Sequence, residues 1–404
     1  MTQLLFRDDA YATTFQARVL EVRGSRVRLD RTLFYPEGGG QSPDVGRLGW
    51  NGGEARVTDA QKEGGEVWHE LQGGVPAVGA TVRGEIDWRI RYRHMQRHSG
   101  EHLLAQAFLR VNPTFRVRAV SMRSFECTLD FEGHPTPQDA RAAEHILQDV
   151  IARDLSIETF EVPEDGLSAY PLRRPPQVRG AVRLVGVREG GSSENGGWWE
   201  MSACGGTHLR STAFAAPVVV LGLEKIKGDL TRVTFVAGEE ATEFLSDTYR
   251  GARAAAQLLS APTEKLEERV RAALEEGRQL RSELENARTE LAKVIVESAE
   301  TRILPNDVQA KLVRVPESAL VTPALKALAG LPRTVGAVLS PDGRCGAASS
   351  APEVHAGQLL GAWLKEAGGR GGGKADVAQG QTGSAAAFEQ TVRAAWETSG
   401  PPTS

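Results

Sequence analysis

The chain has 404 residues, of which 40% are hydrophobic and 25% are charged, and its formal net charge is −4. This length predicts two or three domains of ordinary size. The small negative charge argues against a generally basic nucleic-acid-binding protein, so any RNA-binding surface must be local. The three cysteines, Cys127, Cys204 and Cys345, are too few and too widely spaced for a disulfide framework, which favours a reducing compartment.

The N-terminus carries no targeting signal that we can identify. No basic segment followed by a long apolar core opens the chain, and the longest apolar run, from Ala213 to Leu223, is interrupted by Pro217 and Gly222. We therefore expect no signal peptide, no transmembrane helix and a cytoplasmic location.

Residues 1–88 are typical of a small β-barrel. The segment 26–30 alternates strictly between polar and apolar residues, Gly24 and Ser25 precede it as a turn signal, and further short strands are predicted at 55–59, 66–71 and 81–87.

A glycine-rich loop lies within this region. Gly38, Gly39 and Gly40 would let backbone amides approach a ligand closely, and Thr32 and Gln41 on either side could hydrogen-bond a small polar substrate. A merely flexible loop is the alternative.

Two matched motifs predict a metal site in residues 89–238, where we expect an α/β domain. His98 and His102 are four residues apart in a helical segment, so they share one helix face. Cys204 and His208 repeat that spacing, with two glycines between them. Three imidazoles and one thiolate form a tetrahedral zinc set.

Arginines precede the first histidine pair. Arg93 and Arg97 flank the start of the predicted zinc helix, where they could hold a phosphate backbone entering the site. An ordinary solvated helix start explains the same charges equally well.

Residues 239–300 are predicted to be helical. Apolar residues from Leu266 to Val294 fall at alternating spacings of four and three, which is a heptad pattern, although Gly277 weakens it. Pro262 separates this helix from a preceding one, so a helical hairpin and an intermolecular coiled coil both fit. The second of these would make the protein a homodimer.

Residues 301–404 are expected to form a third unit, which contains a strand at 334–339 and a helix at 351–366. The glycine-rich segment 368–374 has the spacing of a nucleotide-binding P-loop, but Ala375 replaces the required Ser or Thr, and the segment follows a helix. We instead predict a glycine loop in which Arg370 and Lys374 contact RNA phosphates. A solvated loop is the alternative.

Taken together, these motifs resemble the alanyl-tRNA editing proteins, the freestanding relatives of the editing half of alanyl-tRNA synthetase. The segment 32–41 is similar to the family's active-site loop, His98, His102, Cys204 and His208 are similar to its zinc ligands, and 371–379 is similar to the signature of its DHHA1-type domain. The resemblance implies an α+β multidomain protein in four parts. These are a β-barrel (1–88), a zinc-binding editing domain (89–238), a helical hairpin or coiled coil (239–300) and a DHHA1-like tRNA-binding domain (301–404).

The resemblance also implies a function, namely hydrolysis of the ester that joins a wrong amino acid to tRNA(Ala). Serine is the expected amino acid and glycine is a second candidate, because a pocket for alanine excludes close analogues poorly. Thr32, supported by Gln41, is the candidate for recognising the serine hydroxyl. The chain begins where the synthetase's editing half begins, so we expect no ATP-dependent charging.

Glu101 departs from the usual pattern and leaves alternatives open. It turns 98–102 into H-x-x-E-H, a motif of zinc peptidases in which it would be the general base. Such peptidases use a carboxylate as third ligand, and the Cys204 and His208 pair argues against that reading. A non-catalytic, zinc-stabilised RNA-binding module is a further alternative. Whether zinc activates water or only orders the pocket stays open, because four protein ligands are typical of structural sites.

Overall fold

The structure is a computed structural model, and it describes residues 1–175, 180–190 and 197–398. The chain divides into two compact units, Met1–Ala252 and Arg253–Ser404. Among the described residues, no helix combines the length and the apolar character needed to cross a membrane.

The first unit begins with a closed six-stranded barrel, as the sequence predicts. The strands of this region are β1 (Gln3–Leu4), β2 (Thr14–Arg23), β3 (Arg26–Leu29), β4 (Arg31–Thr32), β5 (Gly46–Trp50), β6 (Gly53–Glu63), β7 (Glu66–Gly73) and β8 (Thr81–Ile86). The barrel order is β2-β3-β7-β6-β5-β8, and β1 and β4 form a separate parallel pair.

Alternation along the strands explains how the barrel closes. In β2 and β8 every second side chain is buried, so one face of each strand fills the interior. Gly84 is required at its place on β8, because a Cβ there would lie 2.1 Å from the Phe15 ring. The interior is filled mainly by aliphatic side chains, among them Val19, Val27, Leu29, Leu48, Val57 and Val82.

A long buried helix follows the barrel. Helix α1 (Trp88–Val111) begins after Asp87, whose side chain accepts a hydrogen bond from the backbone N–H of Ile90. The helix is followed by β9 (Val117–Ser121), β10 (Cys127–Phe131), α2 (Pro137–Ala152), β11 (Ile157–Pro163), β12 (Ala181–Arg188), β13 (Trp198–Ala203), β14 (Val218–Ile226) and β15 (Leu230–Ala237). They make a four-stranded sheet, β14-β15-β10-β9, and a three-stranded sheet, β11-β12-β13.

Helix α1 lies at the centre of the hydrophobic core of this region. Met95, Leu104 and Phe108 of the helix are fully buried, and they belong to the same core as residues of α2 and of the four-stranded sheet. Gly100 permits this packing, because a Cβ there would lie 2.8 Å from the Cβ of Ala237 on β15. Helix α1 can therefore pack closely against β15 at Gly100.

The second unit contains a long helix and an α/β domain. Helix α3 (Gly238–Leu258) crosses the boundary between the units, and the second unit continues with α4 (Leu266–Ser298), β16 (Thr301–Leu304), β17 (Val308–Arg314), α5 (Val321–Ala329), β18 (Thr334–Leu339), β19 (Arg344–Ser349), α6 (Ala356–Ala367), β20 (Gly369–Gly373), β21 (Val377–Thr382) and α7 (Ala385–Thr398). The sheet order is β16-β17-β18-β19-β21-β20, and only β17 and β18 are parallel.

The glycine-rich segment of this domain is a strand, and the predicted loop is wrong in that respect. It forms β20, which pairs with β21 at an edge of the sheet. A Cβ on Gly371 would lie 2.7 Å from the Cα of Gly380, and one on Gly373 would lie 2.4 Å from the Cα of Ala378. The glycines therefore serve close packing between strands, a requirement that composition alone does not distinguish from a loop.

Candidate metal centre and pocket

Four side chains predicted to bind metal meet inside the first unit. His98 and His102 lie one turn apart on α1, and Cys204 and His208 lie on the loop that follows β13. One ligand atom from each comes within 4.8 Å of the others, and the Cys204 Sγ is 3.3 Å from Nε2 of both His98 and His208. A thiolate and three imidazoles at this separation can hold a metal ion.

The pKa shifts of Cys204 and His208 suit metal binding, whereas the pKa of His102 moves the other way: burial lowers it, but the charge of Glu200 outweighs burial and raises it to about 10. Burial raises the pKa of the Cys204 thiol, but the charges of His98 and His208 outweigh it and hold the pKa well below the usual value. Burial, followed by the charge of His98, lowers the pKa of His208 well below its usual value. A thiolate and a neutral imidazole are the ligand forms that a metal ion requires.

The second nitrogen of each histidine faces a fixed oxygen atom. Nδ1 of His98 is 2.7 Å from Oε1 of Gln41, and Nδ1 of His208 is 3.3 Å from Oγ of Ser99. Nδ1 of His102 is 3.4 Å from a carboxylate oxygen of Glu200. Such contacts orient metal-binding imidazoles. Neither Ser99 nor Glu200 is indicated by the sequence patterns, because Ser99 occupies an unspecified position of the 98–102 motif and Glu200 lies outside both motifs.

The Cys204–His208 loop is held by groups that are distant in sequence. Nη1 of Arg183 donates to the carbonyl oxygens of Cys204 and Gly206, at 3.0 and 2.9 Å. Gly206 packs directly on an imidazole, because a Cβ there would lie 2.1 Å from Cε1 of His98. Gly206 therefore has a steric role that the spacing of the motif does not reveal.

Gln41 connects the glycine-rich loop to the Cys204–His208 loop. Its Nε2 donates to the Thr207 hydroxyl at 3.0 Å, and its Oε1 also accepts from the Thr207 backbone N–H at 3.3 Å. Together with its contact to His98, these bonds give Gln41 a positioning role. Support of substrate recognition, the role expected for Gln41 from the sequence, stays a prediction.

The glycine-rich loop itself is a tight turn. Gly39 and Gly40 have positive φ angles of 58° and 83°, and the carbonyl oxygen of Gly40 accepts from the backbone N–H of Met122 at 2.9 Å. Of the three predicted glycines, Gly38, Gly39 and Gly40, Gly39 alone lines the pocket described next.

A cavity of about 970 Å³ opens beside the four ligands. His98, His102, Cys204 and Glu101 line one part of it. Glu101 is buried, with one carboxylate oxygen 3.7 Å from Nε2 of His102 and the other 3.8 Å from Nη2 of Arg173. Most of the other charged residues that line the cavity are basic: Arg110, Arg116, Arg118, Arg173 and Arg174.

Thr32 lies away from this cavity, in the barrel. It is fully buried, its hydroxyl is 2.8 Å from Nε2 of His69, and that hydroxyl also accepts from the backbone N–H of Phe34. The structure therefore brings Thr32 to the start of the glycine-rich loop and does not bring it to the pocket lining.

Arg93 and Arg97 also lie outside the pocket lining. Both form ion pairs with Glu240 of α3, and Arg93 additionally pairs with Glu243 at 3.0 Å. They join α1 to α3, and a contact of either arginine with substrate stays a prediction. Arg370 and Lys374 belong to the second unit, where both are exposed at or next to β20.

The fold and this site define a protein that joins a closed six-stranded barrel to a candidate His₃Cys metal centre. Residues 7–90 match the family model described as tRNA synthetases class II (A). The chain is 31% identical over 391 residues to the alanine–tRNA ligase of Pyrococcus abyssi, and the match covers 94% of this chain and 42% of that ligase.

Two further relatives agree. The Archaeoglobus fulgidus alanine–tRNA ligase is 31% identical over 393 residues, covering 94% of this chain and 42% of that ligase. The Pyrobaculum neutrophilum ligase is 35% identical over 277 residues, covering 67% of this chain and 31% of that ligase. The chain is therefore a member of the alanyl-tRNA synthetase family, and it spans less than half the length of these relatives.

Solved structures align with small parts of the chain. The C-Ala domain from Aquifex aeolicus alanyl-tRNA synthetase covers 24% of this chain and 96% of its own chain, with 20% identity and a TM-score of 0.22. A score this low supports no comparison of folds.

Proposed function

We propose that this chain is a zinc-dependent editing hydrolase that removes a wrong amino acid from tRNA(Ala), with Ser-tRNA(Ala) as its main substrate and Gly-tRNA(Ala) as a second candidate. The observation that carries the proposal is the convergence of His98, His102, Cys204 and His208 beside a cavity that also contains a buried carboxylate. Membership of the alanyl-tRNA synthetase family supports tRNA(Ala) as the carrier.

Glu101 is the residue we assign to proton transfer. In the proposed reaction a water oxygen attacks the ester carbonyl carbon while Glu101 takes up a water proton. The bond between the carbonyl carbon and the ribose oxygen then breaks, and Glu101 returns the proton to that oxygen. Zinc held by the four candidate ligands would act as a Lewis acid, which would accept the lone pair of the substrate's neutral amino group or polarise the ester carbonyl.

A peptidase fits the arrangement less well. In the H-x-x-E-H reading the third ligand is a carboxylate, whereas Cys204 and His208 complete the ligand group here. The pocket is wide and lined by arginines, so it favours binding of the end of an anionic polymer over binding of a neutral peptide. A non-catalytic RNA-binding module would share this pocket, and only an activity measurement separates it from a hydrolase.

The deciding experiment measures deacylation of Ser-tRNA(Ala), Gly-tRNA(Ala) and Ala-tRNA(Ala), with zinc content determined on the same sample. Wild type should hydrolyse Ser-tRNA(Ala) and spare Ala-tRNA(Ala). His102→Ala should lose both zinc and activity, whereas His145→Ala, an exposed histidine on α2, should keep both. A zinc-loaded protein without deacylase activity, or full activity in zinc-free His102→Ala, would contradict the proposal.

The basic side of the pocket is proposed to receive the phosphates near the acceptor end of tRNA. Arg116 and Arg118 line it beside Glu132, which pairs with Arg118. Arg116→Ala should raise the KM for Ser-tRNA(Ala) and reduce the slope of log affinity against log salt by about 1. Arg93→Ala is the matched control, and equal effects of the two substitutions would place the phosphate contacts elsewhere.

Helix α4 is proposed to pair with a second copy of the chain. Its seam residues Val270, Leu280, Leu284, Leu291 and Val294 are all more than 40% exposed. With Leu274, six large apolar side chains of this helix are exposed. The same helix of a second chain, packed parallel or antiparallel, would bury them. Sedimentation equilibrium should give a dimer that Leu284→Glu converts to monomer. A monomeric wild type would reject the dimer.

A further inference from the structure

Glu200 is a buried carboxylate for which the proposed reaction has no use. It lies on β13, its side chain has no exposed surface, and it is absent from the lining of the pocket. Burying a charged carboxylate costs several kcal/mol unless charged or polar groups surround it. The identity of the groups around Glu200 therefore indicates what it does.

Three groups face this carboxylate. Oε1 is 3.4 Å from Nδ1 of His102 and 3.9 Å from Nε of Arg173, and it accepts a short hydrogen bond from the Ser202 hydroxyl. Within the described part of the chain, Oε2 makes no hydrogen bond, and neither does Nδ1 of His102. The carboxylate thus lies beside Nδ1 of His102, whereas Nε2 of the same ring is 3.7 Å from a carboxylate oxygen of Glu101.

The other two histidines show the same arrangement with neutral partners. His98 uses the amide oxygen of Gln41 and His208 uses the hydroxyl of Ser99, while Nε2 of each faces Cys204. Of the three, His102 is the histidine whose Nδ1 faces a carboxylate. A carboxylate acceptor fixes the tautomer of an imidazole more strongly than a neutral oxygen and makes Nε2 a better electron donor.

We propose that Glu200 is a positioning residue of the metal centre, which accepts the Nδ1–H of His102 and so directs Nε2 toward the metal. Ser202 holds the carboxylate in place through its hydroxyl. This inference rests on the proposed zinc-dependent function and extends it to a residue outside the ligand motifs.

The test compares Glu200→Gln with Glu158→Gln in the full chain. Glu158 lies on β11 of the same sheet and pairs with Arg188, so its substitution also removes one carboxylate from that sheet. Zinc affinity is measured by competition with a chromophoric chelator, and the absorption spectrum of the cobalt-substituted protein reports ligand geometry. Glu200→Gln should weaken zinc binding about 10–100-fold and alter the cobalt bands. Glu158→Gln should match wild type.

A purely structural role gives a different result. Glu200→Gln would then lower the thermal midpoint of the metal-free protein while its zinc affinity and cobalt spectrum stayed those of wild type, and this outcome would overturn the proposal. Ser202→Ala provides a milder variant in case Glu200→Gln fails to fold, and it should weaken zinc binding in the same direction. Unchanged zinc affinity in Ser202→Ala would then count against the proposal.

Failure of this inference differs from failure of the proposed function. Deacylation of Ser-tRNA(Ala) by wild type, together with wild-type zinc affinity in Glu200→Gln, would reject the positioning role alone. Weakened zinc binding in Glu200→Gln, without deacylation by wild type, would reject the hydrolase alone. A wild-type protein that binds no zinc would reject both.

Discussion

Single residues decide whether the four candidate metal ligands can meet. Cys204-Gly205-Gly206-Thr207-His208 contains two adjacent glycines that the sequence does not distinguish, but their surroundings differ. A Cβ on Gly206 would lie 2.1 Å from His98, whereas a Cβ on Gly205 would have no neighbour within 4 Å. Neither glycine has a positive φ angle. The structure thus assigns the steric constraint to one position.

The two alanine substitutions form a matched pair. Gly206→Ala should displace the His98 imidazole and reduce zinc content to a small fraction of wild type, because the methyl group cannot share space with the ring. Gly205→Ala should keep full zinc content. Metal analysis after dialysis measures both, and equal retention by the two variants would show that the loop moves freely enough to absorb the methyl group.

A buried histidine in the barrel predicts how stability depends on pH. Burial lowers the pKa of His69 to about 4, while the unfolded chain protonates near pH 6.5. The unfolded state therefore binds more protons between these values, so His69 contributes its full stability above pH 6.5 and loses it as pH falls toward 4.

The size of this effect can be measured with a variant. Between pH 7.5 and pH 5 the free energy of unfolding should fall by about 2 kcal/mol through His69. His69→Gln should remove that part of the pH dependence, and His145→Gln, which changes an exposed histidine, should leave it intact. Urea unfolding followed by tryptophan fluorescence provides the values. An identical pH slope in His69→Gln and wild type would contradict the assignment.

At the scale of elements, one ion pair joins the glycine-rich loop to helix α1. Arg91 and Asp44 are both fully buried and make a bidentate pair, and Arg91 also donates to the carbonyl oxygens of Ala10 and Leu33. Asp44 in turn accepts from the backbone N–H of Tyr35 at 2.7 Å. The loop that carries Gln41 and the helix that carries His98 are thereby held in one arrangement.

Asp44→Ala should be strongly destabilising. It leaves the Arg91 charge buried without its carboxylate, which costs about 3–5 kcal/mol in the free energy of unfolding. Asp149→Ala, on α2, breaks an exposed i,i+4 pair with Arg153, the residue that follows this helix, and should cost less than about 1 kcal/mol. Denaturant unfolding of both variants checks the difference. A small effect of Asp44→Ala would mean that water or another acceptor replaces the carboxylate.

At the scale of the whole molecule, each unit carries a cationic surface of its own. The pocket arginines belong to the first unit, and Arg370 and Lys374 lie at the exposed edge strand of the second. If both contact the same tRNA, as we propose, their binding energies combine because one chain carries them.

This proposal predicts that substitutions in the second unit weaken tRNA binding without slowing the hydrolysis step. Arg370→Ala combined with Lys374→Ala should raise the KM for Ser-tRNA(Ala) and reduce the salt slope by about 2, while kcat stays that of wild type. Lys365→Ala, an exposed lysine on α6 of the same domain, is the control. Steady-state kinetics at several salt concentrations provides the values. An unchanged KM in the double variant would remove the tRNA-binding role of β20.

The sequence by itself determined the parts that depend on local spacing. The strict alternation at 26–30 and the short predicted strands around it indicated the barrel, and the four-residue spacings of His98 with His102 and of Cys204 with His208 indicated the candidate metal ligands, because periodicity sets which side chains share a face. The tertiary structure alone decided what surrounds those ligands. The surrounding groups come from segments that are distant in the chain: Glu200 from β13, Gln41 from the barrel loop, and the pocket arginines. Arg93 and Arg97 form ion pairs with α3. Such contacts between distant elements follow from packing and leave no local pattern in the sequence.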